Sequence, residues 1–284
     1  LKMERLLETY YAFSPSGLRS FLTAIPAWLK EQMFLKRTLK KGLQKIGEYD
    51  PKKVKFLFPE HHLSHAASAF YPSPYEDAAI MTLDGVGEWA TASIGHGKGK
   101  EIEILKELKF PHSIGLLYSA FTYFLGFKVN SGEYKLMGLA PYGRSNSAEV
   151  KQYKKTITTE LIEIYEDGSI WLNQKYFNYA TGLKMVYDDT LFGFPKRPSE
   201  SNLEQHHCDL AIAIQEVTEE IVILMAKEAQ KITKSKNLVL AGGVALNCVV
   251  NGKLQNANIF ENVYIQPAAG DAGGALGAAL AAHH

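Results

Sequence analysis

The stretch "AAIMTLDGVGEWATASIGHGKGKEIEILKEL" (78–108) constrains the fold more than any other part of the 284-residue chain. Three β-type runs follow one another with only glycine-containing turns between them, so they pair as an antiparallel meander. Beyond the meander the period changes. Apolar residues at Leu210, Ile214, Val217, Ile221, Leu224 and Ile232 recur at helical spacing across 203–235. Strand "NLVLAGG" (237–243) comes next, then a helix start in "VALNCVVNGKL", strand "NVYIQP" (262–267) and a last helix opened by "GDAGGALGAAL".

A meander followed by helices alternating with two strands predicts an α/β fold. Its unit is one ribonuclease-H-like lobe, the half-unit of the actin-like ATPase superfold, in which paired lobes hold a nucleotide between them. The second lobe is expected over 77–284, with an insertion around 144–200 that carries a hairpin at "YEDGSIWL" and a loop, "LFGFPKRPSE". Residues 111–127 read as helix, and "NSGEYKLMGLAPYG" (130–143) reads as irregular. Residues 1–76 predict a partial first lobe, incomplete at its amino end. It holds helices joined around "SPSG" and at a Pro26 turn, one strand, "KVKFLF" (53–58), and a helix from about His61 to Phe70 that Pro59 opens and "YPSP" ends. One strand cannot bury several helices, so the apolar faces of "LLETYYAF" and "IPAWLKEQMFL" are expected to be exposed or covered by a second copy, which makes a homodimer one expectation.

Charge excludes one class of function. Lys and Arg number 31 against 30 Asp and Glu, a net of +1, so no field draws the chain to nucleic acid or to an anionic membrane. Two cysteines without CxxC spacing, Cys208 and Cys248, fit a reducing, cytoplasmic setting. The opening "LKMERLLETYYAF" carries charges throughout and does not read as a signal peptide. The most apolar stretch, "AAGDAGGALGAALAA", is too short and too small-residue-rich to span a bilayer.

The chain has nine histidines and places three of them within "PEHHLSHAASAF". His61 and His65 are four apart, so on a helix their imidazoles share one face at metal-bridging distance, while His62 points elsewhere. The plain alternative is a helix start decorated with satisfied histidines. Leu63, not Glu, follows His62, so the HExxH pattern fails and any further ligand comes from a distant segment. Asp84 ends a β-run before Gly85, and Asp271 sits between a strand end and a helix start. Either aspartate reads equally as a helix cap or turn residue. Two histidines plus carboxylate suit iron, manganese or zinc.

Glycine pairs in "LAGGVALN" and "AAGDAGGALG" lie between a strand and a helix amino terminus. Backbone amides there can receive phosphate, and small residues there also permit close helix–sheet packing.

The blocks "EHHLSHAASAFYPSPYEDAAIMTLDGVGEWATAS", "GEYKLMGLAPYG", "FGFPKRPSE", "LAGGVALN" and "GDAGGALGAAL" closely resemble the carbamoyltransferase family of NodU/CmcH type. The likeness runs from about residue 50 to the end, in the same order. Those enzymes make O-carbamoylated natural products and nodulation factors. They are similar in turn to tRNA threonylcarbamoyl transferases and to hydrogenase-maturation carbamoyltransferases. The resemblance implies an actin-like fold and a divalent metal, iron first, with manganese or zinc as alternatives, held by His61, His65 and Asp271, with Asp84 as ligand or close neighbour. It implies transfer of a carbamoyl group from carbamoyl adenylate, made from carbamoyl phosphate and ATP in a YrdC-like domain, to a hydroxyl of a small-molecule acceptor. Glu133, Lys135 and Arg197 are the candidate catalytic or substrate-orienting residues. Asp84, Gly85, Gly138, Gly242, Gly243 and Asn247 are the candidate nucleotide contacts. Family members begin with strands bearing a His-Asp-Ser type motif and carry a YrdC-like part. Neither is in this sequence, so the chain is expected to be a piece that does not carbamoylate alone. The rivals are a plain ATPase or small-molecule kinase of the same superfold, which leaves the histidine pair unexplained, and a threonylcarbamoyl-type tRNA modifier, which the near-neutral charge disfavours. A third is a non-catalytic fragment that keeps a relic metal site.

Overall fold

The computed structural model describes residues 2–31, 34–50, 53–187 and 190–284. Helices α1 (Lys2–Phe13), α2 (Leu18–Glu31) and α3 (Leu35–Ile46) precede α4 (His61–Phe70). The meander follows as β1 (Asp77–Leu83), β2 (Ala90–Lys98) and β3 (Glu101–Lys109), and then α5 (Ile114–Phe124), α6 (Glu133–Leu139) and α7 (Ala148–Thr156). A small hairpin, β4 (Ile162–Ile164) and β5 (Ile170–Leu172), leads to the long helix α8 (Gln205–Thr233). The chain closes with β6 (Asn237–Ala241), α9 (Cys248–Asn256), β7 (Asn262–Ile265) and α10 (Asp271–His283).

One mixed sheet of five strands, in the order β3-β2-β1-β6-β7, organises these elements. β1 runs antiparallel to β2 and parallel to β6, and β6 runs parallel to β7. The crossovers need helices, and α8 and α9 supply them. Strand β1 is central and buried on both sides, so its successive side chains divide between two cores. Ala79, Met81 and Leu83 join the larger core with Ile214, Val217 and Ile221 of α8. Ala78 and Ile80 face the other way, onto Ala66, Ala69 and Phe70 of α4. β6 repeats the division, with Leu238 and Leu240 on one side and Val239 and Ala241 on the other.

Helix α4 therefore packs on the five-stranded sheet, although the sequence pattern assigns it to the preceding segment. It crosses α10 so closely that a Cβ on Gly277 would lie 1.7 Å from the Ser64 carbonyl oxygen. Any side chain at Gly277 would drive the two helices apart, and the residues at their amino ends with them.

Three local expectations are corrected. Residues 53–58 form no strand; Val54, Leu57 and Phe58 are exposed and find no ladder partner among the described residues. Pro26 lies inside α2 rather than at a turn, at the loss of one backbone hydrogen bond. The stretch 130–143 is not irregular: Glu133 starts α6, which continues into a short 3-10 turn at Ala140–Tyr142. Gly132 and Gly138 masked the helical period. Leu7 and Tyr11 within "LLETYYAF" and Leu29 within "IPAWLKEQMFL" are exposed, as are Leu18 and Leu22 between the two stretches.

The start of α8 carries a pH-sensitive cap. The Glu204 amide donates to Nδ1 of His207 at 2.9 Å, and the Glu204 side chain accepts from the His207 amide. Nδ1 accepts only while the ring is neutral. Burial, with the neighbouring charges of His206 and Arg197, pulls the His207 pKa down to about 4, against a weaker opposing pull from Glu204. In the unfolded chain the ring protonates at about 6.5. Between those values the unfolded state binds a proton that the folded state refuses, so stability falls as pH drops from about 6.5 towards 4 and levels below. Urea midpoints of metal-free protein are expected to follow that slope, and those of His207→Gln to be flatter over the same interval. Equal slopes would show the cap not to titrate.

Candidate metal centre

The metal-type cluster is assembled from three elements that the sheet brings to one edge. Helix α4 begins at His61, one turn before His65. Asp84 follows the last residue of β1, and Asp271 is the first residue of α10. His61, His65, Asp84 and Asp271 each offer a ligand atom, and the four atoms lie within 4.8 Å of one another.

The two imidazoles face each other through Nε2 atoms 3.1 Å apart. His61 Nε2 lies 2.7 Å from Asp84 Oδ2 and 3.6 Å from Asp271 Oδ1. His65 Nε2 lies 3.4 Å and 3.7 Å from the same two oxygens. His65 is 1% exposed and Asp271 81%, so the cluster is sealed on the α4 side and open on the α10 side.

Electrostatics favour a cation at this point. Burial opposes the Asp84 charge, but hydrogen bonds from His61, His65 and the Gly85 amide outweigh it and hold the carboxyl far below the usual carboxylate range. The hydrogen bond to Asp84 in turn raises the His61 pKa against burial, helped by the charges of Asp84, Asp271 and Glu88. Two imidazole nitrogens and two carboxylates aimed into one small volume form a donor set that suits a borderline divalent cation. The fit is good on the ligand side. On the outer side, His65 Nδ1 is buried with no hydrogen-bond partner among the described residues.

His62 stands apart, as its helix position predicts. Its Nδ1 lies 2.5 Å from Thr82 Oγ1, which lies 2.6 Å from Ser93 Oγ. Burial, and then the charge of His61, pull its pKa down to about 4, so it serves the core as a neutral ring.

The glycine loop after β6 contributes through geometry. Gly242 has φ of +96°, and a Cβ there would lie 2.2 Å from the Leu83 carbonyl oxygen. Only glycine lets β6 pass the end of β1 so closely. Gly242 N–H donates to Ala269 O at 2.7 Å, and Gly243 N–H to Asp84 Oδ1 at 3.1 Å. Both amides thus have acceptors within the protein, which differs from the expectation of free donors for phosphate. The Gly85 carbonyl accepts from Ser113 Oγ at 2.7 Å. Gly138 lies on an open face of α6. Asn247 Oδ1 caps α9 at the Val250 amide, 3.1 Å away, and its amide exchanges hydrogen bonds with buried Gln215 at 2.9 and 3.2 Å. Gln215 carries no motif in the sequence, so only packing revealed it.

The remaining candidates are placed elsewhere. Glu133 accepts from Ser119 Oγ at 2.8 Å and from the amides of Asn130 and Gly132, fixing the start of α6. Lys135 pairs with Glu200 at 3.1 Å. Arg197 is buried, with Nε donating to Leu125 O at 2.5 Å, a second nitrogen to Ser201 O, and its guanidinium 4.8 Å from the Phe127 ring centre. Among the described residues no hydrogen bond or ion pair joins these three to the cluster. Glu88, within "DGVGEWA", had no role in the sequence pattern. Its Oε2 accepts the His61 amide at 3.0 Å.

Metal-free protein is expected to bind one divalent cation more tightly at about pH 8 than at about pH 6, because the cation must displace the proton that His61 holds. Titration with Co(II), followed by its visible spectrum, measures this. His65→Ala is expected to weaken binding by about 100-fold, and equal affinity in the variant would remove His65 from the ligand set.

Comparison with known proteins supplies the family. The family model described as the carbamoyltransferase N-terminus matches residues 1–280. The uncharacterized protein sll1178 of Synechocystis is 54% identical over 284 residues, 99% of this chain and 45% of that protein. Nodulation protein NolNO of Sinorhizobium fredii is 38% identical over 247 residues, 86% of this chain and 34% of that protein. A 3'-hydroxymethylcephem-O-carbamoyltransferase of Amycolatopsis lactamdurans is 25% identical over 237 residues, 81% of this chain and 41% of that protein. Among solved structures, HypF of T. kodakarensis is similar over 81% of this chain and 37% of that chain, with 14% identity and a TM-score of 0.38, a likeness too distant to carry an argument. The chain thus spans less than half the length of these relatives. The match across nearly its whole length, and the 54% identity behind it, show that this chain belongs to the carbamoyltransferase family, in its amino-terminal domain.

Proposed function

We propose that this chain is the acceptor-modifying domain of an O-carbamoyltransferase, which moves a carbamoyl group from carbamoyl adenylate to a hydroxyl of a small-molecule acceptor at the His61/His65/Asp84/Asp271 centre. The observation that carries the reading is the convergence of these four groups at the carboxyl end of β1, beside the glycine loop after β6. In open α/β sheets ligands sit at the carboxyl ends of strands. The sheet order, a three-strand meander with two parallel strands added beside its first strand, supports a ribonuclease-H-like lobe of an actin-like protein.

Carbamoyl adenylate is a mixed anhydride, so hydroxyl attack on its carbonyl builds negative charge on oxygen. A bound divalent cation, iron first and manganese or zinc as alternatives, supplies Lewis-acid stabilisation of that charge. His61 and His65 hold their nitrogens on one helix face for that cation. Asp84 is kept ionised by its hydrogen bonds and so supplies charge without competing for a proton. Asp271, exposed on the open side, is the member that substrate approaches. Gly242 lets β6 pass close to the end of β1, which brings the Gly243 amide onto Asp84 beside the proposed nucleotide side of the centre. In this reading a YrdC-like domain of the longer protein makes the donor.

The full-length protein, given carbamoyl phosphate, ATP and a panel of polyhydroxylated acceptors, is expected to release AMP and to add a carbamoyl group, read by mass spectrometry. His65→Ala is expected to lower that rate by about 100-fold or more, since several kcal/mol of charge stabilisation would go with the cation. ATP hydrolysis without acceptor modification would favour the ATPase reading.

A further inference from the structure

The metal-type histidine at the start of α4 is held by residues outside the donor set. Glu60, which precedes the helix, gives it no side-chain cap. The first amide of the helix, that of His61, donates instead to Glu88 Oε2 at 3.0 Å, from the loop that follows Asp84. One loop thus carries both the Asp84 carboxylate, 2.7 Å from the His61 ring, and the carboxylate that binds the His61 backbone. A negative charge at a helix amino terminus is favourable, and here it also fixes the position from which the imidazole projects.

That loop is gripped from its other side by α1. An Arg5 nitrogen donates to the Gly87 carbonyl oxygen at 2.6 Å. The guanidinium lies 5.4 Å from the Phe110 ring centre and within the field of Glu88. The Phe110 amide donates to Trp89 O at 2.8 Å, so the ring beside Arg5 belongs to the same loop assembly. A charged group partly withdrawn from water at such a place costs desolvation, which a surface arginine with no task would avoid by turning outward.

We propose that Arg5 and Glu88 are positioning residues for the metal centre: Glu88 locks the first turn of α4 through the His61 amide, and Arg5 clamps the 84–88 loop from α1. The proposal rests on the four-residue centre binding a cation. Arg5 and Glu88 donate nothing to that cation; they set the distance between His61 and Asp84 before it arrives. A preorganised pair binds without having to be ordered, so loosening either contact weakens affinity. It also ties the otherwise exposed α1 to the chemistry of the site.

The test uses the 284-residue chain. Co(II) affinity by chelator competition, the Co(II) visible spectrum, and amide exchange across 61–65 in metal-free protein are compared for native, Glu88→Ala, Glu88→Gln and Arg5→Met. Glu88→Ala is expected to lose about tenfold in Co(II) affinity, the size typical of groups that orient ligands. It should also speed exchange at the start of α4. Glu88→Gln, which keeps an acceptor oxygen, is expected to recover part of both, and Arg5→Met to lose affinity several-fold with a shifted spectrum. Native affinity and spectrum in Glu88→Ala and Arg5→Met would overturn the proposal, as would a loss of melting temperature alone. Should Glu88→Ala fail to fold, Glu88→Gln and Arg5→Met decide by the same readouts. If the native chain itself takes no Co(II), the metal reading fails and the positioning roles with it. Tight native binding with unaffected variants sinks the positioning roles alone.

Discussion

The contact between His61 and Asp84 is the interaction around which the site is organised. A carboxylate at the end of a buried strand is costly, and Asp84 is kept charged there by the imidazoles of α4 and by backbone amides. Two histidines and two aspartates so close together place acceptors opposite one another, and protons hold them together only in part. The four groups each offer a ligand atom within 4.8 Å of one another, and this is the donor set on which the proposed cation rests.

Helix packing sets the distances. Asp271 reaches the histidines only because α10 crosses α4 at near contact, and that crossing exists only because Gly277 brings no side chain to it. Asp84 receives the Gly243 amide only because Gly242 lets β6 run past the end of β1. Small residues that read in sequence as generic phosphate loops thus act here as spacers. The Gly242 and Gly243 amides have acceptors inside the protein, and the missing side chains let backbone segments approach one another.

Much of this was legible in the chain itself. The meander, the two later strands, the long helix α8 and the 61–70 helix follow from local period, because each buries a regular face. The i,i+4 histidine pair and the two glycine-flanked aspartates could be picked out as ligand candidates for the same reason. Other elements were not legible. The run at 53–58 has strand-like composition, yet a strand requires a neighbour's backbone, and no sheet edge comes to it. Residues 133–139 were hidden by Gly132 before the helix and Gly138 within it, and their helix is stabilised by Glu133 and by packing rather than by period.

Sequence by itself determined the residue types at the centre, the order of strands and helices after residue 77, and the family to which the chain belongs. Both carboxylates were nominated in the sequence, but only the tertiary structure brings Asp84 and Asp271, 187 positions apart in numbering, to the same histidines and sets their distances. It likewise gave Arg197 and Asn247 internal partners, Leu125 O and Gln215, which no local pattern encodes. The physical reason is common to both cases. Period and propensity act over a few residues, whereas a ligand sphere or a buried hydrogen bond is chosen by whatever distant groups packing brings into reach.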